Sequence, residues 1–178
     1  MIDRSKPAKL LACVAAAASA ALTLPPWVSL DDLGSPFRWN GLGIYIGDSS
    51  SHYSSQLDGL ATSLPGWIVV IASIACAVAL ASARRRRWPA VVACVFGGVA
   101  FAAAVASVVW PALLVGDIKY WLGITDDVND RSLLNSSVLV AELATTAALV
   151  VCSVYVHRSI REDKPVNQSK RIGHGHGV

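Results

Sequence analysis

The sequence predicts an all-α integral membrane protein, a four-transmembrane-helix bundle with a small extracytoplasmic segment between its first two helices. Three observations predict it. The chain is 54% hydrophobic over 178 residues, too apolar for a typical soluble domain of that length. Four segments approach or meet the roughly 20 apolar residues that a helix needs to cross a hydrocarbon core about 30 Å thick. Basic residues are dense in some of the intervening segments and sparse in the others, the asymmetry that fixes topology during insertion.

Residues 1–7 read as a cytoplasmic N-terminus and residues 8–24 as the first span, which is short and alanine-rich. Its basic start, its apolar stretch from Leu10 and the tripeptide Ala18-Ser19-Ala20 also fit a signal peptide with a small-residue cleavage site, which would leave three spans. Residues 25–65 form an extracytoplasmic segment, longer than a connection between neighbouring helices needs. Within it Asn40-Gly41, a dipeptide favoured in tight hairpin turns, lies between Phe37-Arg38-Trp39 and Leu42-Gly43-Ile44-Tyr45-Ile46. A short β-hairpin or extended strand is expected there, with Leu42, Ile44 and Ile46 on its apolar face. Gly41, Gly43 and Gly47 miss the dinucleotide-binding spacing by one residue and lack its strand-to-helix context.

The second span covers residues 66–83, and an arginine-rich cytoplasmic turn at 84–88 leads into the third, residues 89–115. That span exceeds a perpendicular crossing, so tilt or an end lying in the interface is expected. Residues 116–132 form a second extracytoplasmic loop. Its clustered aspartates lack the glycine and closing glutamate of a calcium loop, and Asp130 or Ser132 is the expected cap of the fourth span, residues 133–156. Residues 157–178 read as a polar, disordered cytoplasmic tail.

Charge orients the bundle. Arg4, Lys6, Lys9, Arg84, Arg85, Arg86, Arg87, Arg158, Arg161, Lys164, Lys170 and Arg171 fall on one side, against Arg38, Lys119 and Arg131 on the other. The rule that positive loops stay inside places both termini in the cytoplasm of a plasma-membrane protein. Arg84, Arg85, Arg86 and Arg87 also suit contact with anionic lipid headgroups, and no nucleic-acid role is needed to explain them. Trp27, Trp67, Trp88 and Trp110 lie near span ends and read as interface anchors.

Helices in lipid associate through small residues that allow close backbone approach. Ala90, Cys94, Gly98, Ala102 and Ala106 repeat every four residues in the third span, with Ala93 and Gly97 broadening the stripe, and form the expected packing face, for intramolecular contact, self-association or a membrane-protein partner. Glu142 is the only ionisable residue well within a span. An intramembrane acid is a functional candidate by default, and Thr145 and Thr146 stand near it. The four cysteines all lie in apolar runs, which disfavours disulfides, thiol-redox pairs and zinc sites. No metal or cofactor is expected, and no family of four-span proteins is recognised.

The expected function is therefore non-enzymatic: a subunit, scaffold or assembly factor of a cell-envelope complex. The alternative is a small proton- or cation-coupled transporter or channel component using Glu142. A third reading is a membrane enzyme with extracytoplasmic aspartates.

Overall fold

A computed structural model describes residues 5–48, 52, 56–83, 87–125 and 127–162. The chain is mostly helical with one small two-stranded sheet. Four long helices form the bundle: α1 (Ser5–Leu22), α2 (Leu64–Ser82), α3 (Arg87–Val109) and α5 (Ser136–Glu162), while a shorter α4 spans Ala112–Leu122. In the bundle α1 packs on α2 and α5, and α3 packs on the same two helices from their other side. Three of the long helices, Leu64–Ser82, Arg87–Val109 and Ser136–Arg161, are long and apolar enough to cross a membrane. α1 is not among the three. Arg84, Arg85 and Arg86, Asp126 and the tail beyond residue 162 lie outside the described residues.

The helix limits follow local chemistry. Proline occupies the first turn of α2, where its missing N–H is no loss. The third predicted span is two helices: α3 stops at Val109, and α4 begins after Pro111. Proline lacks the donor that a continuing helix needs and disfavours helical backbone at Trp110. Leu114 and Val115 are apolar for another reason than lipid, while Ala112 and Leu113 beside them are exposed. Leu114, Val115 and Ile118 are buried in a core built with residues of the 25–65 segment. Gly123 closes α4 at φ +63, a left-handed cap typical of glycine. The start of α5 is capped by Asn135, not by Asp130 or Ser132. Asn135 Oδ1 accepts from the Val138 amide at 3.5 Å and from the Ser137 hydroxyl at 2.7 Å. Asp130 is drawn instead to Lys119, and the Ser132 hydroxyl to the Asn129 carbonyl.

The described residues of the 25–65 segment, α4 and residues 128–135 fold together as a cap on one end of the bundle. Strand β1 (Pro26–Ser29) pairs antiparallel with β2 (Arg38–Asn40), opposing Val28 to Trp39 and Ser29 to Arg38. On its other edge β1 meets the start of α5 through a Val28–Leu134 bridge and an Asn135 N–H to Trp27 carbonyl bond of 2.9 Å. Beyond β2 the chain reverses at Asn40. Its Oδ1 accepts the amides of Leu42 and Ile44 at 3.0 and 2.9 Å, and the Ile46 amide returns to the Arg38 carbonyl at 2.8 Å.

The chain thus reverses where a turn is expected, but about Gly41 and Leu42, with the Gly43 amide on the Asn40 carbonyl at 3.0 Å and the positive φ of 75° at Gly43 in place of Gly41, and the face expected to be apolar is reversed. Tyr45 is buried, while Ile44 and Ile46 are exposed. Strand residues alternate sides, so choosing Tyr45 for the core turns both isoleucines out. Its ring lies edge-on to Trp39 with centroids 5.7 Å apart, and Phe37 joins at 6.0 Å from Tyr45. Aromatic rings bury more surface than isoleucine and favour such tilted contacts.

Two apolar clusters result. One lies in the cap around Trp27, Trp39, Tyr45, Ile118 and Leu133. The other lies towards the opposite end of the bundle around Ala12, Cys76, Leu80, Leu149 and Val156.

Candidate functional site

Between these clusters three helices bring polar side chains together. Ser19 on α1, Ser73 on α2 and Glu142 on α5 are all fully buried. The Ser19 hydroxyl donates to Glu142 Oε1, and its oxygen lies 3.2 Å from that of Ser73. Glu142 Oε2 has no hydrogen-bond partner among the described residues. Small residues on α1 make the approach possible, since Ala12, Ala15 and Ala16 on the preceding turns are buried and let the helices close upon one another.

The sequence places Thr145 and Thr146 beside Glu142, and the structure gives them a different task. Both hydroxyls accept no contact from the carboxyl and instead donate to the Glu142 main-chain carbonyl, each at 2.9 Å. Ser19 and Ser73 are the residues that sequence reasoning missed. Ser19 lies in the tripeptide that resembles a cleavage site, and Ser73 is a single hydroxyl in an apolar run.

A second polar crossing lies further from the cap. Cys76 Sγ is 3.3 Å from Ser153 Oγ, and Ser153 donates to the Leu149 carbonyl at 2.7 Å. Gly97 of α3 faces this pair: a Cβ built on it would stand 3.5 Å from Ser153 Oγ and 3.6 Å from Cys76 Sγ.

The expected packing face on α3 is displaced. Its buried line runs through Ala90, Ala93, Gly97, Ala100, Ala104 and Ser107. Ala90, Ala93 and Gly97 of the expected face lie on it, whereas Cys94 and Ala106 are half-buried, Ala102 is exposed, and a Cβ on Gly98 would meet nothing within 4 Å. The reason is geometric. With 3.6 residues per turn, a strict four-residue repeat rotates about 40° per step and leaves the contact, whereas mixed steps of three and four hold one face.

The tryptophans also divide. Trp67, Trp88 and Trp110 are exposed, at 47, 78 and 62%. Trp27 is completely buried, so its reading as an interface anchor is corrected. Its Nε1 donates to the Leu22 carbonyl at 2.8 Å at the end of α1, and its ring lies against Gly41, where a Cβ would come within 2.6 Å. The glycines of the rejected nucleotide-like pattern thus have packing roles.

Of the four arginines of the turn at 84–88, Arg87 is described, as the exposed first residue of α3. At the same end Lys9 Nζ donates to the Ala83 carbonyl just past α2, where a cation complements the helix dipole.

On the cap, two of the aspartates, Asp31 and Asp130, are drawn into ion pairs. Arg38 grips both oxygens of Asp31 with Nε at 3.1 and 2.9 Å, which holds that carboxyl below the usual carboxylate range and raises the guanidinium. They border a cleft of about 380 Å³ with Asp32, Ser132 and Asn135. Lys119 pairs with Asp130 at 2.8 Å and also donates to the Val128 carbonyl, beside a second, open cleft of about 500 Å³ against Tyr120 and Gly123.

The chain matches no protein-family model, no curated protein and no solved structure. Its chemistry is therefore read from its own residues.

Proposed function

We propose that the chain is a four-span plasma-membrane protein with both termini in the cytoplasm, acting as a non-enzymatic subunit, scaffold or assembly factor of a cell-envelope complex. Three helices have the length and apolarity to cross, and α1 lies alongside two of them with Leu10, Leu11 and Val14 exposed. A helix so placed shares the bilayer with its neighbours. Its buried Ala12, Ala15, Ala16 and Ser19 support a retained first span over a cleaved signal. The Lys9 contact with Ala83 sets the start of α1 beside the end of α2. That end gathers Lys6, Lys9, Arg87, Arg158 and Arg161, which by the positive-inside rule is the cytoplasmic one.

The observation that carries the partner reading is on α4. One face of this helix is locked into the cap core by Leu114, Val115 and Ile118. On its free surface Tyr120 and Trp121 are 83 and 69% exposed and stand edge-on, centroids 6.2 Å apart. Exposed aromatic side chains on a helix fixed by its other face are of the residue types that protein interfaces use as anchors. The ion pairs of Asp31 and Asp130 support a structural role for those carboxylates over a catalytic one.

The test is extraction in mild detergent, purification through a C-terminal tag, and mass spectrometry of stoichiometric partners, for the wild type and for the Tyr120→Ala, Trp121→Ala double variant. A defined partner set that the double variant loses, while it still purifies folded, is the expected result. A homogeneous preparation of this chain alone would overturn the proposal.

A further inference from the structure

We propose that Glu142, Ser19 and Ser73 form a proton-binding site inside the bundle, in which the carboxyl is kept as the neutral acid and the bound proton is the ligand. The site is independent of the partner reading given above. It rests on three observations: convergence of three helices on one carboxyl, complete burial of all three side chains, and one carboxyl oxygen without a partner among the described residues.

An ionised carboxylate so placed needs a counter-charge, because removing it from water costs more than a single hydroxyl returns. The neighbouring elements supply none. From α1 come Ser19 and Thr23, whose hydroxyl is bound to the Ala20 carbonyl. From α2 come Ser73 and, one turn along, Cys76, engaged with Ser153. The buried line of α3 carries alanines, Gly97 and Ser107. On α5 itself Thr145 and Thr146 serve the backbone, and the nearest group that can carry a positive charge, His157, is fifteen residues along, on the order of 22 Å at 1.5 Å per residue. Lys9 is held at the far end by the Ala83 carbonyl. Among the described residues Glu142 is the only buried side chain of the Asp, Glu, Lys, Arg and His types.

A metal cation is the other way to neutralise the group, and the geometry disfavours it. Ser19 Oγ and Glu142 Oε1 are already in hydrogen-bond contact, which leaves no space for an ion between them. A proton adds no volume. It is taken from water by the carboxylate, giving the acid and requiring no other reactant. With it bound, Ser19 bonds a neutral group, and α1, α2 and α5 close without an unpaired charge between them. Its release leaves a bare carboxylate at the junction of three helices, so occupancy of the site governs how tightly α1 is held.

The sequence makes the test specific, since Glu142 and Glu162 are its only glutamates. The full chain, labelled with carboxyl-13C glutamate and placed in phosphatidylcholine and phosphatidylglycerol vesicles, is examined by infrared spectroscopy over a pH series. At neutral pH the wild type should show a labelled protonated C=O band that Glu142→Gln abolishes. Ser19→Ala, which deletes the donor to Oε1, should keep that band and shift it to higher frequency. Should Glu142→Gln fail to fold, the wild-type and Ser19→Ala spectra still decide. A labelled glutamate seen purely as carboxylate at neutral pH would overturn the proposal. So would a carboxylate band that responds to exchange of sodium for a large organic cation and not to pH, the mark of a metal-ion site.

Discussion

The α-carbon of Gly66 in α2 faces the carbonyl of Gly41 in the cap so closely that a Cβ built on it would lie 1.9 Å from that oxygen. Gly41 in turn lies against the Trp27 ring, and its amide bonds to the Thr23 carbonyl at 2.9 Å. Two glycines thus let the cap backbone sit directly on the first turn of α2 and against the end of α1. The seat joins the cap to the bundle through main chain, where rotamer changes offer no relief.

Gly66→Ala should therefore unseat the cap even though alanine is the better helix former. The atoms it would strike are backbone, so relief requires the cap to move, at a cost of roughly 1–3 kcal/mol or more, as for other overpacked sites. Gly98→Ala is the control, because a Cβ there meets nothing and helix propensity alone favours alanine by about 1 kcal/mol. Thermal unfolding in detergent, with limited proteolysis of the cap, separates them. Equal behaviour of the two variants would show that the cap does not depend on this contact.

Asp31 and Arg38 give the cap a dependence on acid. The guanidinium beside it holds the Asp31 carboxyl below the usual range, so the folded chain keeps this group ionised at pH values where the unfolded chain has begun to protonate it. The contribution is complete above the unfolded carboxyl's range and disappears as pH falls through the lower folded value. Both side chains are exposed, so the effect is small and screened by salt. Asp31→Asn should flatten part of the acid limb of the unfolding midpoint against pH at low ionic strength and change little in high salt. Superimposable acid limbs at low salt would remove the pair from any account of cap stability.

The long helices were legible because the length of an apolar run is itself the physical requirement for crossing a bilayer. The break at Pro111 was visible as a residue but masked by its apolar neighbours, since Leu114 and Val115 face the cap core and hydropathy does not distinguish core from lipid. Trp27 illustrates the same ambiguity. A ring near a helix end suits the headgroup region as well as a core, and the space that Gly41 leaves for it decided the matter. The hairpin turn was legible in Asn40-Gly41, while its phase depended on the mutual packing of Trp39 and Tyr45. For the candidate site, Glu142 stood out as an acid in an apolar run, but Ser19 and Ser73 did not. A serine in a helix can bond its own backbone, so its presence says nothing of which neighbour it faces, and their meeting at Glu142 depends on the rotation of two further helices.

Gly97 tests how closely α2, α3 and α5 are set. Unlike Gly66, it would place a new Cβ at 3.5 Å from Ser153 Oγ, 3.6 Å from Cys76 Sγ and 3.7 Å from the α-carbon of Val150, all ordinary contact distances. Gly97→Ala should accordingly be neutral or stabilising by up to about 1 kcal/mol from helix propensity. Gly97→Leu cannot be accommodated in the same way, because its further atoms must enter the space of the Cys76–Ser153 pair, and it should destabilise by roughly 1–3 kcal/mol. A single cysteine-reactive probe reads the difference independently of melting. Cys76 is fully buried in the intact bundle, so Gly97→Leu should raise its labelling rate in a background lacking Cys13, Cys94 and Cys152, while Gly97→Ala leaves it unchanged. Equal protection in both variants would mean that α3 can withdraw from the crossing without exposing it, and that the pair is held by α2 and α5 alone.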